Sequence, residues 1–176
     1  ILSSLFWIYI EPEAGTNLSN SESDLCAITS SDVYVDPNIN QECITDGCGT
    51  QQNPFKTITW TLQMIMASED NPVTLHLANG TYSPETGEVF PITLPNYVSL
   101  QGEDEVLTIL DAMQTGGTID FLPQQPIPAF NNSLSDFTVT GGNALSGGGI
   151  NMNCASPTLN NITVIDNQAG DGGGLY

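Results

Sequence analysis

The sequence predicts an all-β solenoid, a single-stranded parallel β-helix whose first coil is covered by an amphipathic helix. Three observations predict it. The first is a repeat near the C-terminus. Phe137-Thr138-Val139-Thr140 with Gly147-Gly148-Gly149-Ile150 returns 25 residues later as Ile162-Thr163-Val164-Ile165 with Gly172-Gly173-Gly174-Leu175, and Ala144 matches Ala169. A period in the twenties is the mark of stacked repeats. The second is the content of the repeat: an alternating strand, a glycine turn and a second short apolar touch. A leucine-rich repeat would instead carry several Leu at fixed offsets. The third is composition. Seventeen Gly, abundant Asn and Thr, and a single Lys or Arg point away from a helical bundle and towards turns and strands.

Taken in chain order, residues 1–10 (ILSSLFWIYI) form an apolar segment too short to span a bilayer. It reads either as the tail of a truncated signal peptide or as a strand that pads a neighbour. Residues 11–31 read as an acidic, Ser/Asn-rich linker. Residues 32–176 then hold the N-terminal cap and first coils, and the pattern stops in mid-repeat, as expected of a fragment of a longer protein. The spacing of Phe55, Ile58, Leu62 and Ile65 after Asn53-Pro54 predicts an amphipathic helix that Asn71-Pro72 stops. Thr57, Thr59 and Thr61 lower its propensity. Strands are predicted at Val73–Leu77, Tyr97–Leu100, Thr108–Leu110 and Ile119–Phe121, the first two about 25 residues apart. Pro123, Pro126 and Pro128 make 122–129 an excursion.

Alternation sends Phe137, Val139, Ile162 and Val164 to one face, and stacking gathers them with Leu75, Val98 and Leu100 into an inner ladder. Triple glycine suits a corner that needs positive φ or close backbone approach. Asn160, Asn161 and Asn167 are placed to form hydrogen-bonded ladders between coils.

The ordered run Tyr34-Val35-Asp36-Pro37-Asn38, Gly49-Thr50, Asn53-Pro54-Phe55-Lys56-Thr57-Ile58, Leu77-Ala78-Asn79-Gly80-Thr81-Tyr82, Gly87-Glu88-Val89-Phe90-Pro91-Ile92 and Leu94-Pro95 with Val98-Ser99-Leu100-Gln101-Gly102 resembles a known family. It is similar to the uncharacterised N-terminal domain, a domain of unknown function, of secreted right-handed parallel β-helix proteins in the pectin-lyase-like superfamily. The resemblance runs from about Asp32 to Tyr176. It implies a right-handed coil and an extracellular or cell-surface setting, and it transfers no catalytic residue.

Charge narrows the functional classes. With 20 Asp and Glu against one basic residue the formal net charge is −19. Nothing can neutralise phosphates, so nucleic acid is excluded as a partner, and anionic lipid is disfavoured. Lyases of the superfamily abstract a proton beside a uronate with an Arg or Lys, but this chain has no Arg, and Lys56 sits in the predicted cap. Hydrolysis of the polygalacturonase kind needs clustered Asp with His and basic neighbours. No Asp-Asp pair exists here, and His76 is the only histidine. No catalytic, cofactor-binding or metal residue is therefore assigned. His76 shares parity with Thr74 and reads as an outward or cap-contacting imidazole.

Asp36, Asn38 and Asp46, and the run Glu103-Asp104-Glu105, raise calcium as a cofactor, but no EF-hand string is present and a solvated acidic surface is expected. Cys43 and Cys48 bracket a short loop and read equally as a local disulfide or as free thiols; Cys154 reads as a small packing residue, and no Cys-x-x-Cys pair involves it or Cys26. Sequons begin at Asn17, Asn79, Asn131 and Asn161, where turn chemistry and chance account for them. Thr138 and Thr140 do not extend into a threonine array, since Ile165 stands where Thr140 recurs. The expectation is a non-catalytic structural and recognition module, secreted or at the cell surface, that seals the solenoid and presents an acidic Asn/Thr-rich face to a carbohydrate or surface partner. Two alternatives stand beside it: a fragment of a polysaccharide lyase or glycoside hydrolase whose active site lies in further coils, and a segment of an adhesin or autotransported passenger.

Overall fold

The computed structural model describes residues 28–44, 47–121, 132–152 and 155–176. The apolar segment 1–10, most of the acidic linker, Cys26, Asp46, the proline-rich excursion, Cys154 and the sequons at Asn17 and Asn131 lie outside them. After β1 (Asp32–Val35) and α1 (Ile58–Met64), the chain winds through three turns of parallel strands. The first turn is β2 (Val73–Leu77), β3 (Gly80–Tyr82) and β4 (Ile92–Leu94). The second is β5 (Val98–Gly102), β6 (Thr108–Asp111) and β7 (Ile119–Phe121). The third is β8 (Ser133–Thr140), β9 (Asn143–Ser146) and β10 (Ile150–Asn151). A further rung begins with β11 (Thr158–Val164) and β12 (Gln168–Asp171). All pairings are parallel, as the repeat predicted.

The register matches the 25-residue period directly. Val73 pairs with Val98 and Leu75 with Leu100, Phe137 with Ile162 and Val139 with Val164, Ala144 with Ala169. Alternation places every second residue inside. Val33, Leu75, Leu100 and Leu134 form one buried column, and Tyr82, Leu110 and Val139 a second. Ile92, Ile119 and Ile150 form a third. Each interior column thus stacks apolar on apolar, and the third repeats isoleucine at every rung. Of the predicted ladder, Leu75, Val98, Leu100, Phe137 and Val139 are buried. Ile162 and Val164 pack against the core but stay half-buried, because β11 has a neighbouring strand on one side only among the described residues.

β8 explains how two faces join. Asp136 sits in the left-handed region at φ 62° and turns the strand, so that its first half pairs with β5 and its second half with β6. Asn161 repeats the bend one rung on at φ 52°, and its Nδ2 donates to Asp136 Oδ1 at 3.0 Å. Gly102 is the counterpart in the rung before. A Cβ there would collide with the Asp136 carbonyl, so only glycine fits. Asn167 braces the outer rungs: its Oδ1 accepts from Gly142 N at 2.8 Å, and its Nδ2 donates to Val139 O and Ile165 O. Asn161 and Asn167 thus bond between coils, but to Asp136 and to backbone groups rather than to stacked asparagines. Asn160 stands in register with Ser135 on the outer face.

The helix departs from its predicted bounds. It runs from Ile58 to Met64, not from Pro54 to Asn71. Phe55 is extended instead: its N–H donates to Tyr34 O at 2.9 Å and its carbonyl accepts from Asp36 N at 2.8 Å, bridging β1. Ile65 is likewise extended, in a parallel bridge to Ile28. Backbone pairing at both ends overrode the helical spacing of the apolar residues. Thr57 is the N-cap, its Oγ1 accepting from Trp60 N at 3.3 Å. Two carboxylates complete this start. Glu42 accepts from Lys56 N at 2.7 Å and from Thr57 N and Oγ1. Glu88 accepts from Ile58 N at 2.5 Å, Thr59 N at 3.0 Å and Thr59 Oγ1 at 2.7 Å. They take up backbone donors that a helix start leaves free. Cys43 and Cys48 form a disulfide with Cα atoms 5.7 Å apart, which settles the open pairing. Among the described residues, no helix is long and apolar enough to cross a membrane.

Candidate functional site

Side chains on the outer face of a parallel sheet stack as the inner ones do. Asp32, Thr74 and Ser99 form one outward column, and Tyr34, His76, Gln101, Ser135 and Asn160 form another. Over the first rungs the second column floors an open groove of about 400 Å³. The His76 ring stacks on the Tyr34 ring with centroids 4.9 Å apart and planes 22° from parallel. Its Nε2 lies 2.7 Å from Asp32 Oδ1. That contact holds the Asp32 carboxyl below its ordinary value, with a hydrogen bond from Ser31 Oγ aiding it. The imidazole is therefore outward, as predicted, but fixed between an aromatic ring and a carboxylate on β1, neither of which parity alone could reveal.

One rim of the groove carries Asp36 and Glu103. Asp36 Oδ1 accepts from Asn38 N at 2.9 Å and from Asn38 Nδ2 at 2.8 Å. Asn38 Nδ2 also donates to Asn79 O, and Asn79 N donates to Glu103 Oε2 at 3.1 Å. The two carboxylates are thus tied to one asparagine scaffold, each through one oxygen. Gln51 and Gln101, both exposed, add amides, and Pro54 and Ala78 add apolar wall. Beneath it, buried Tyr82 Oη lies within hydrogen-bond reach of Val35 O and Ala78 O, and burial raises its pKa far above the ordinary phenol value. The arrangement gathers a stacked ring pair, amide donors and acceptors, and two carboxylates around one groove.

Of the predicted calcium candidates, Asp36 and Glu103 share the groove rim, Asp46 lies outside the described residues, and the remaining acidic groups are engaged elsewhere. Asp104 Oδ1 accepts from Val106 N and Leu107 N, while Glu105 accepts from Thr163 Oγ1 two rungs away. Among the described residues no three His, Cys, Asp or Glu side chains gather as a metal site. The two sequon asparagines among the described residues are built into the scaffold: Asn79 Oδ1 accepts from Thr108 Oγ1 at 3.2 Å, and Asn161 holds Asp136. A second, more open depression of about 450 Å³ lies beside α1, lined by Glu42, Lys56, Trp60 and Gln63 among others. It lacks a stacked ring pair.

The fold defines the chain as a parallel β-solenoid carrying a domain whose role is not known from its kind. The sequence profile of the family described as "Protein of unknown function (DUF1565)" matches residues 44–172, well over half the chain, and the chain belongs to that family. No curated protein and no solved structure matches it. The matched span includes Gln51, His76, Gln101 and Glu103; Asp32, Tyr34 and Asp36 precede it.

Proposed function

We propose that this chain is a non-catalytic recognition module of a secreted or cell-surface protein, related to the pectin-lyase-like solenoids, and that its groove binds carbohydrate. The observation that carries the reading is the Tyr34–His76 stack on the floor of an open groove whose polar side chains are amides and carboxylates. A sugar ring presents an apolar face to such a platform and hydroxyls to its polar rim. The Cys43–Cys48 bond supports an oxidising compartment. Phe55 and Ile58, buried beside the first turn, support a capping role for the segment around α1, since an open solenoid end would expose strand edges and core.

The test is a binding screen of the intact chain against neutral, amino and acidic polysaccharides, with Tyr34→Ala alongside. Retention of at least one saccharide, weakened about tenfold by the substitution, is expected from loss of an aromatic contact worth about 1 kcal/mol or more. No retention of any saccharide would overturn the reading.

A further inference from the structure

We infer that the Cys43–Cys48 disulfide is a redox-sensitive latch: reducing it frees the strap that covers the outer edge of β1 and holds the start of α1, while the laps of the solenoid stay wound.

The strap is the chain between β1 and α1, described as residues 36–44 and 47–57. It has two anchors. One closes the edge of β1, where Tyr34 N–H donates to Gly49 O at 2.9 Å. Gly49 lies so close to Phe55 and Val33 that a Cβ would meet the Phe55 ring at 2.9 Å. The other anchor is Glu42, which accepts from Lys56 N, Thr57 N and Thr57 Oγ1 at the start of α1. Cys43 follows Glu42 and Cys48 precedes Gly49, so the disulfide ties the helix anchor directly to the edge anchor. No described residue between Pro37 and Gly49 is buried. Besides the bond and the half-buried packing of its two cysteines, this stretch is therefore held by hydrogen bonds at the surface. Segments with so few buried contacts are the ones that open locally.

The sulfurs are within reach of a small thiol, because both cysteines are only half-buried and Gln41, Ile44 and Gly47 around them are exposed. Accessible disulfides are the labile ones. A dithiol opens the bond in two steps. Its thiolate attacks one sulfur, forming a mixed disulfide and expelling the other cysteine as a thiolate that takes up a proton. Its second thiol then attacks the mixed disulfide, frees the first cysteine and leaves the reagent as a cyclic disulfide. Two electrons and two protons pass to the protein. Gly49 is then no longer tied to Glu42, and the N–H of Tyr34 becomes an open donor on an edge strand.

Amide hydrogen exchange of the intact chain before and after dithiothreitol tests this, with alkylation and peptide mapping to show which cysteines were freed. The amides of Tyr34, Lys56 and Thr57 are expected to exchange at least about tenfold faster in the reduced chain. Ile119, whose N–H donates to Gly149 O within the coil, should keep its rate. Reoxidation should restore the slow exchange. Cys43→Ser/Cys48→Ser should exchange like the reduced parent whether or not reductant is present. Cys26→Ser/Cys154→Ser, which keeps the pair, should respond as the parent does. The reduced parent carries the reading even where the first variant does not fold. Resistance of Cys43–Cys48 to the dithiol, or unchanged exchange at Tyr34 once the bond is open, would overturn the inference. So would equal acceleration at Ile119, which would make the bond a staple of the whole fold, or a response lost in Cys26→Ser/Cys154→Ser.

Discussion

Glu88 is the residue at which a single proton bears on the fold. Its side chain is 4% exposed, yet both oxygens accept from the start of α1. Burial raises its pKa, and the nearby charge of Glu42 adds to the rise; the hydrogen bonds from Thr59 and Ile58 pull the other way without cancelling it. A carboxyl with a folded pKa above its unfolded one binds more protons in the folded state. Its contribution to stability is full below the unfolded value of about 4.3 and is lost as pH rises through the folded value. Urea midpoints measured from pH 4 upward should therefore fall with pH in the parent. Glu88→Gln should flatten that slope while costing about 1–3 kcal/mol at low pH, since one backbone N–H loses its acceptor. An unchanged slope would show that Glu88 is not the titrating group. Asp32 has the opposite sign: its lowered pKa contributes stability that is present above the unfolded value and lost as pH falls through the folded one.

At the scale of elements, hydrophobic period and glycine spacing revealed most of the frame. β2, β5, β6, β7 and the repeated halves of β8 and β11 were legible because alternation and a constant period reinforce each other. β9 and β12 were not, since Asn143–Ser146 and Gln168–Asp171 show no apolar alternation and are held by pairing with each other. The ends of α1 were misread because Phe55 and Ile65 carry helical spacing while their backbones are spent on neighbouring strands. Of the groove, His76 was singled out, but its partners lie 42 and 44 positions earlier, a separation no local pattern encodes. Asn167 was expected to bond between coils and does, but its three partners are backbone groups that no side-chain pattern encodes. Asn167→Ala should cost about 1–3 kcal/mol by leaving Gly142 N–H and two carbonyls short of a partner. Amide exchange at Gly142 should quicken well before that at Leu75, and equal protection in parent and variant would refute the brace.

Across the whole molecule, charge and shape oppose one another. The chain carries −19 with a single Lys, and among the described residues the one contact between a basic side chain and a carboxylate is His76 with Asp32. Self-repulsion should weaken the folded state at low ionic strength. Raising sodium chloride from about 10 to 200 mM, which shortens the screening length from about 30 to below 10 Å, should lift the thermal midpoint by a few degrees. A flat or falling midpoint would show that the carboxylates are spaced widely enough not to feel one another.

The in-register stacking of rungs has a consequence for how such a chain can change. Tyr34, His76 and Gln101 are adjacent in space because each occupies the same slot of its own lap. Swapping the occupant of one slot alters a single contact along the groove and leaves the laps above and below aligned. Adding or dropping one residue inside a strand turns the rest of that strand inside out. Variation in recognition is thus open to point substitution, while variation in length is confined to whole laps and to the corners between them.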